Sequence, residues 1–296
     1  MEFPATYSIK DLEKLSGIKA HTLRIWEKRY ALFEPDRTET NIRYYSNDDL
    51  KRILNISQLN KNGFKISVIA AMSDAEIREK VSAINLVRTE SEDLIDNLIV
   101  GMIELNEAYF EKIFSACILK MGFENTVQKV IAPFFYRIGV MWQTGGINQA
   151  QEHFVSNIIR QKLIVAIDRL KPANDEKTRP TAVLFLPEND LHEMSLLFYN
   201  YVLRSRNMKT IYLGQSVPST SLTRVIDIVK PDILLSVVTN PLSKKEKEKF
   251  FQSLGKLKGV GQILLSGSTA LDPKNTLPAN IALFRGLPEL LKLIQK

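Results

Sequence analysis

The sequence of 296 residues contains one cysteine and three histidines. A lone thiol, Cys117, excludes any disulfide within the chain, and a reducing, cytoplasmic setting is the expectation. It lies in an apolar run and reads as an inert core residue. No run of about 18 apolar residues occurs, which argues against a membrane span. The opening MEFPATYSIKDLEKL lacks the basic-then-apolar order of a signal peptide. Neither GxGxxG nor GxxxxGKS/T is present, so the usual dinucleotide and P-loop readings fail. No nucleophile elbow and no Ser-His-Asp order is visible, and two histidines far apart in sequence make no zinc site by themselves. Nothing here points to an enzyme.

What is present is an ordinary apolar fraction of 45% and enough length for two or three domains. The net charge of +7 suggests an anionic partner. Its distribution points away from the segment that the motifs single out. Residues 1–70 carry 12 Lys+Arg against 9 Asp+Glu, residues 71–175 carry 11 against 14, and residues 176–296 carry 17 against 10. Much of the C-terminal excess is the run KKEKEK at 244–249, which reads as a solvated helix start.

Residues 7–30 read YSIKDLEKLSGIKAHTLRIWEKRY. Ser8 is placed to cap a helix carrying Ile9, Leu12 and Leu15. Ser16-Gly17 interrupts the pattern, and a second helix follows with Ile18, Leu23 and Trp26 inward. Two short helices around a tight glycine-containing turn make a helix-turn-helix. The second offers Lys19, His21, Thr22, Arg24 and Lys28, groups suited to phosphates and base edges in a major groove. From Ala31 the chain reads ALFEPDRTETNIRYYS, turn formers and then a short β-like stretch rich in Arg and Tyr. Helical periodicity resumes in NDDLKRILNISQLNKNGFKISVIAAM, capped by Ser46 or Asn47. That order is the layout of a winged-helix DNA reader.

The pattern TLRIWEKRY, P-x-R-T, IRYYS-x-DDL and L-x-x-x-GF-x-I resembles the DNA-binding domain of the MerR family of transcriptional regulators over roughly the first 75 residues. The resemblance implies DNA contacts at Thr22, Arg24 and Tyr45, with Arg37 and Arg43 on the wing and His21 near the DNA backbone. Trp26 and Tyr44 read mainly as packing residues. It also implies binding to inverted repeats of double-stranded DNA as a dimer.

Residues 74–172 are helical in pattern and read as four stretches: DAEIREKVSAINLV, SEDLIDNLIVGMIELNEAYFEKIFSACILK, FENTVQKVIAPFFYRIGVMW and QAQEHFVSNIIRQKLIVAIDRL. A small helical bundle is the economical reading, with Pro133 kinking or starting a helix. Within it, Trp142 precedes Glu152-His153 by nine intervening residues. Taken alone, this is either a tryptophan packed beside a satisfied histidine or the roof of a ligand pocket.

From residue 181 continuous apolar strands alternate with amphipathic helices: TAVLFLP, KTIYLG, DILLSVVT, GQILLSG and IALF are strand-like. This is the signature of a parallel sheet covered on both faces. Ligands of such sheets sit beyond the carboxyl ends of the strands. There, straight after the first strand, stands ENDLHEMS, residues 188–195, with one of the three histidines. A carboxylate beside an imidazole orients it and raises its basicity as a metal ligand.

Glu188-x-Asp190-x-His192-x-x-Ser195 resembles the E/D-x-H-x-x-G motif of cobalamin-binding domains. The resemblance implies His192 as lower axial ligand to cobalt. Trp142-x9-Glu152-His153 resembles the upper-face motif of the light-sensing MerR-type regulators CarH and LitR. There a helical bundle caps adenosylcobalamin, with the Trp beside the adenosyl group. Three positions depart from the pattern. Ser195 replaces the motif glycine, Ser236-Val237-Val238 stands for S-x-L, and Ser266-Gly267 stands for paired glycines. Extra side chains there narrow the approach to a buried nucleotide tail.

The sequence is therefore read as multidomain. Residues 1–75 are a winged helix-turn-helix head, 76–175 a helical cap, and 180–296 an α/β doubly wound, Rossmann-like parallel sheet. The function it implies is a homo-oligomeric (dimer or tetramer) repressor sensing cobalamin, adenosylcobalamin above all, and light. Two alternatives stand beside it: a regulator of the same fold that has lost cobalamin and answers another ligand or partner, and a corrinoid protein for methyl transfer.

Overall fold

The first helix, α1 (Ile9–Ser16), starts at a capping box. Ser8 Oγ accepts from the Asp11 amide, and Asp11 Oδ2 accepts from the Ser8 amide at 2.9 Å. It stops where Gly17 takes φ 72°, a left-handed conformation that glycine adopts without penalty. The computed structural model describes residues 7–37, 41–85, 91–143, 147–170 and 179–295.

After α2 (Ala20–Tyr30), the antiparallel pair β1 (Asp36–Arg37) and β2 (Arg43–Tyr44) forms the wing. A second capping box, Ser46 with Asp49, opens α3 (Asn47–Lys61), which leads into α4 (Ile66–Ile69). Leu12, Leu23, Trp26, Leu50 and Leu54 are buried together on these elements, as the apolar periodicity anticipates.

Helices α5 (Asp74–Asn85), α6 (Ser91–Ile103), α7 (Glu107–Met121), α8 (Phe123–Thr126), α9 (Ala132–Gln143) and α10 (Gln149–Asp168) follow. The sequence expectation of one helix from 91 to 120 is corrected. Leu105 turns to φ 51° and the Asn106 side chain caps α7 by accepting from the Tyr109 amide at 3.0 Å. The short polar side chain competes for the backbone and ends the run. Before α9 the backbone widens into a π-turn, Val127–Ile131, and the Ala132 amide reaches back to Val127 O. Pro133 has no N–H to offer the carbonyl four residues earlier, so the helix restarts around it. Phe110 and Phe134 pack at 5.7 Å between ring centroids in the bundle core.

The remaining elements are β3 (Thr181–Pro187), α11 (Met194–Ser205), β4 (Lys209–Val217), α12 (Ser219–Val229), β5 (Ile233–Val237), α13 (Lys244–Gly255), β6 (Gln262–Ser266), β7 (Ile281–Leu283) and α14 (Leu287–Ile294). The five strands β4-β3-β5-β6-β7 are all parallel. Strand β3 leads outward to β4 in one direction, and the chain then crosses to β5 on the other side. The β3–β5 junction is thus the switch point where ligands of this architecture bind.

The chain divides into two compact units, Met1–Ile158 and Ile159–Lys296. Head and helical bundle belong to the same unit. No helix among the described residues is long and apolar enough to cross a membrane.

Candidate functional site

Strand β3 is buried almost throughout and ends at Pro187. Asn189 reverses the chain at φ 68°, and the Asp190 amide donates to Pro187 O at 3.0 Å. The Ser216 amide donates to Asp190 O at 3.1 Å, which ties this loop to the end of β4. Asp190 is buried, and its Oδ1 accepts both the His192 amide at 3.0 Å and His192 Nδ1 at 3.2 Å. A carboxylate only accepts, so Nδ1 carries the proton of this contact, and Nε2 is the nitrogen left to offer a lone pair to a metal. The His192 side chain is 70% exposed, and neighbouring Leu191 is exposed as well. Asp190 Oδ2 is buried with no hydrogen-bond partner among the described residues.

An imidazole held by a buried carboxylate, its second nitrogen turned to solvent at a switch point, fits an axial ligand to a metal that brings its own ring of donors. The described residues contain no group of three or more His, Cys, Asp or Glu side chains that could chelate a bare ion.

Next to His192, Glu193 is buried at the start of α11. Arg160 Nε donates to its Oε1 at 2.6 Å, and the Tyr212 hydroxyl donates to its Oε2 at 2.8 Å. Burial and the adjacent carboxylate push the Tyr212 phenol far above its ordinary range. Sequence reasoning missed this trio; only the position of Glu193 beside the motif histidine hinted at it.

The structure scatters the other lower-motif positions. Ser195 is exposed on the first turn of α11, so its side chain crowds nothing inside. Ser266 bonds the buried Tyr199 hydroxyl of α11, and the Tyr199 ring packs edge-on to Phe284 at 5.1 Å. Gly267 has φ 96°, and a Cβ there would lie 2.4 Å from Val238 O; glycine stands where the backbone itself demands it. Ser236 does not join this group. It is in register with Phe185 and Leu265, whose side chains pack with α12 and α13, so it points to the opposite face from Ser266. The period of two explains this: residues 236 and 266 differ by one in register. Glu188 lies elsewhere, at a cavity that His192 does not line. With Lys249 it lines a cavity of about 300 Å³ over Phe185, Leu222, Phe250 and Leu254.

In the first unit, Trp142 ends α9 with half its surface exposed. Glu152 and His153 stand on the first turns of α10. Their side chains meet at 3.3 Å, and Ser156 Oγ donates to Glu152 Oε1 at 2.5 Å. Residues 144–146 of the intervening segment lie outside the described residues.

On the head, Lys19, His21 and Arg24 are exposed around the start of α2, with Thr22 half-buried against the His21 ring at 3.3 Å. Lys19 pairs with Glu13 at 3.2 Å. Arg37 donates to Asn41 at 2.7 Å, and Arg43 to Glu27 at 3.0 Å. Tyr45 corrects the expectation of a DNA contact. It is fully buried, its backbone bridges Tyr7, and its ring packs against Phe33 at 6.0 Å. Tyr44 on the wing is half-buried, while Tyr45, just past the strand, lies in the core.

Residues 7–76 match the MerR HTH family regulatory protein model, and residues 94–166 match the B12 binding domain model, which falls on helices α6 to α10. The HTH-type transcriptional repressor CarH of Myxococcus xanthus is 25% identical over 260 residues, spanning 86% of this chain and 84% of that protein. The repressor CarA of the same organism is 28% identical over 234 residues, 77% of this chain and 75% of that protein. Among solved structures, the monomethylamine corrinoid protein of Methanosarcina barkeri shares the fold at 16% identity and a TM-score of 0.57, across 69% of this chain and 98% of that one. Residues 7–76 are thus similar to a MerR HTH regulatory protein and residues 94–166 to a B12 binding domain.

Proposed function

We propose that the chain is a DNA-binding transcriptional regulator, a repressor, that senses cobalamin. The observation that carries the reading is the Asp190–His192 pair at the switch point of the sheet. His192 holds its Nδ1 proton on Asp190 and would offer Nε2 to the cobalt of a bound cobalamin. Glu193, locked by Arg160 and Tyr212, fixes the start of α11 and so the loop that carries the imidazole. Trp142, Glu152 and His153 would be the bundle's contribution to holding the cofactor, with adenosylcobalamin the favoured form. That cofactor supplies a light-labile cobalt–carbon bond when bound. Lys19, His21, Thr22 and Arg24 present α2 to the major groove of an inverted repeat, and Arg37 and Arg43 on the wing face its backbone. Such a site is read by a homo-oligomer.

A second reading, the same fold answering a different ligand, is favoured by one observation. Tyr199, bonded to Ser266 and packed on Phe284, fills the α11 side of the sheet where a cofactor's tail would need room. The two readings part in one experiment. Affinity for a duplex selected by the chain from a random pool is measured with and without adenosylcobalamin, in the dark and after illumination. A cobalamin-dependent change of tenfold or so, about 1.4 kcal/mol, supports the first reading. An affinity indifferent to cobalamin supports the second.

A further inference from the structure

The head and the bundle are joined by a set of polar contacts. Gln58 of α3 donates to Asp93 O at 3.2 Å and to Asn97 Oδ1 at 3.3 Å, both on α6, and Tyr109 of α7 donates to the same Asn97 oxygen at 3.1 Å. Asn97, Asp96 and Gln58 are almost wholly buried. At the centre stands Arg137 of α9. Its guanidinium donates to Asp96 of α6 and to the backbone oxygen of Leu15, 122 residues earlier in the chain.

Leu15 lies in the last turn of α1, where carbonyls have no partner within the helix. Three neighbouring carbonyls have partners from within the head. Glu13 O accepts from the Gly17 amide, Leu12 O from Ser16 Oγ and Ser16 O from Ser57 Oγ. Only the Leu15 contact among these is supplied by the bundle. A cation at a helix C-terminus also complements its dipole. The residues that follow, Ser16 to Lys19, are the turn of the helix-turn-helix and set the entry of α2.

We infer that Arg137 is the positioning residue through which the bundle holds the DNA-reading turn. It caps α1 while anchored on Asp96. Trp142 lies on the same helix, about 7.5 Å further along its axis at 1.5 Å per residue. A shift of α9 at its Trp142 end withdraws the guanidinium from Leu15 O, and the turn ahead of α2 loosens. Polar contacts of this kind suit reversible docking, because their groups find water when they part. The coupling, though not the cap, rests on the reading that Trp142 meets the cofactor.

The test uses the full chain with Arg137→Gln, and with Arg137→Lys as the milder change that keeps the charge. Hydrogen exchange at the amides of residues 15–17 reads the cap. Removing a hydrogen bond from a charged donor predicts exchange about tenfold faster in Arg137→Gln, with an intermediate rate in Arg137→Lys. Unchanged exchange in both variants overturns the cap. Adenosylcobalamin retention and duplex affinity, for a duplex selected by the wild-type chain, read the coupling. Arg137→Gln keeps the cofactor with an unaltered spectrum, while the ratio of duplex affinities with and without cofactor falls toward one. A ratio equal to that of the wild type overturns the coupling. Should the wild type retain no cobalamin, the functional reading fails by itself and the coupling with it, and the exchange rates still decide the cap. If Arg137→Gln does not fold, the same readouts are taken from Arg137→Lys.

Discussion

A single oxygen, Asp190 Oδ1, accepts both the backbone amide and the ring Nδ1–H of His192. The carboxylate therefore sets the loop and the tautomer together. Asp190→Asn keeps the shape and loses the charge. Changing such an outer partner costs about 10–100-fold in metal affinity. Equilibrium dialysis against cobalamin should show a loss of that order with the fold intact by circular dichroism. An unaltered affinity would mean that Asp190 only shapes the loop.

Gly267 is fixed by its surroundings. Alanine there meets Val238 O at 2.4 Å in a backbone conformation at φ 96°. Strain of this kind costs about 1–3 kcal/mol before the clash is counted. Urea denaturation of Gly267→Ala should report a loss of at least about 2 kcal/mol. A variant as stable as the wild type would require the β5–β6 ends to rearrange.

Asp96 makes stability depend on pH. Burial pushes its carboxyl up to about 6 from an ordinary 3.8, against the pull of Arg137. The folded chain thus holds this proton more tightly than the unfolded one. The stabilisation is complete below the unfolded value and is lost as pH rises through about 6. Asp96→Asn cannot titrate. The difference in unfolding free energy, wild type minus variant, should therefore decline between about pH 4 and 7 and stay level above. A difference that grows over that window would contradict the shift.

Arg24 stands exposed on α2 with no ion pair among the described residues. Arg24→Ala should leave the unfolding transition in place and weaken duplex binding by about 1–3 kcal/mol if the contact is to a guanine. A phosphate contact instead lowers the salt slope by about one. Tyr45→Phe, at a buried position, should leave duplex affinity nearly unchanged.

Much of the architecture is legible in the sequence because its signals are local. Ser8 and Ser46 cap the helices that they precede, and apolar runs such as TAVLFLP become the buried strand Thr181–Pro187. The Asp190–His192 contact is also local, two residues apart, and its chemistry shows in the spacing. What escaped depends on register and distance. Whether Ser236 shares a face with Ser266 turns on a single step of strand pairing. The burial of Tyr45 beside half-buried Tyr44 is likewise a matter of a single step along the chain. The break at Leu105–Asn106 hides within an unbroken apolar pattern, because one left-handed residue and one asparagine cap suffice to make it. Arg137 and Leu15 are joined only by the folded chain, and Arg160, Glu193 and Tyr212 likewise. No periodicity marks such pairs.

The most direct measurement is the absorption spectrum of the purified full chain after incubation with adenosylcobalamin in the dark and removal of free cofactor, beside His192→Ala. Retained cofactor, with a spectrum in the wild type that shows nitrogen ligation and is lost in His192→Ala, is the predicted result. No retained cofactor, or identical spectra from the two proteins, would contradict a cobalamin site built on Asp190 and His192.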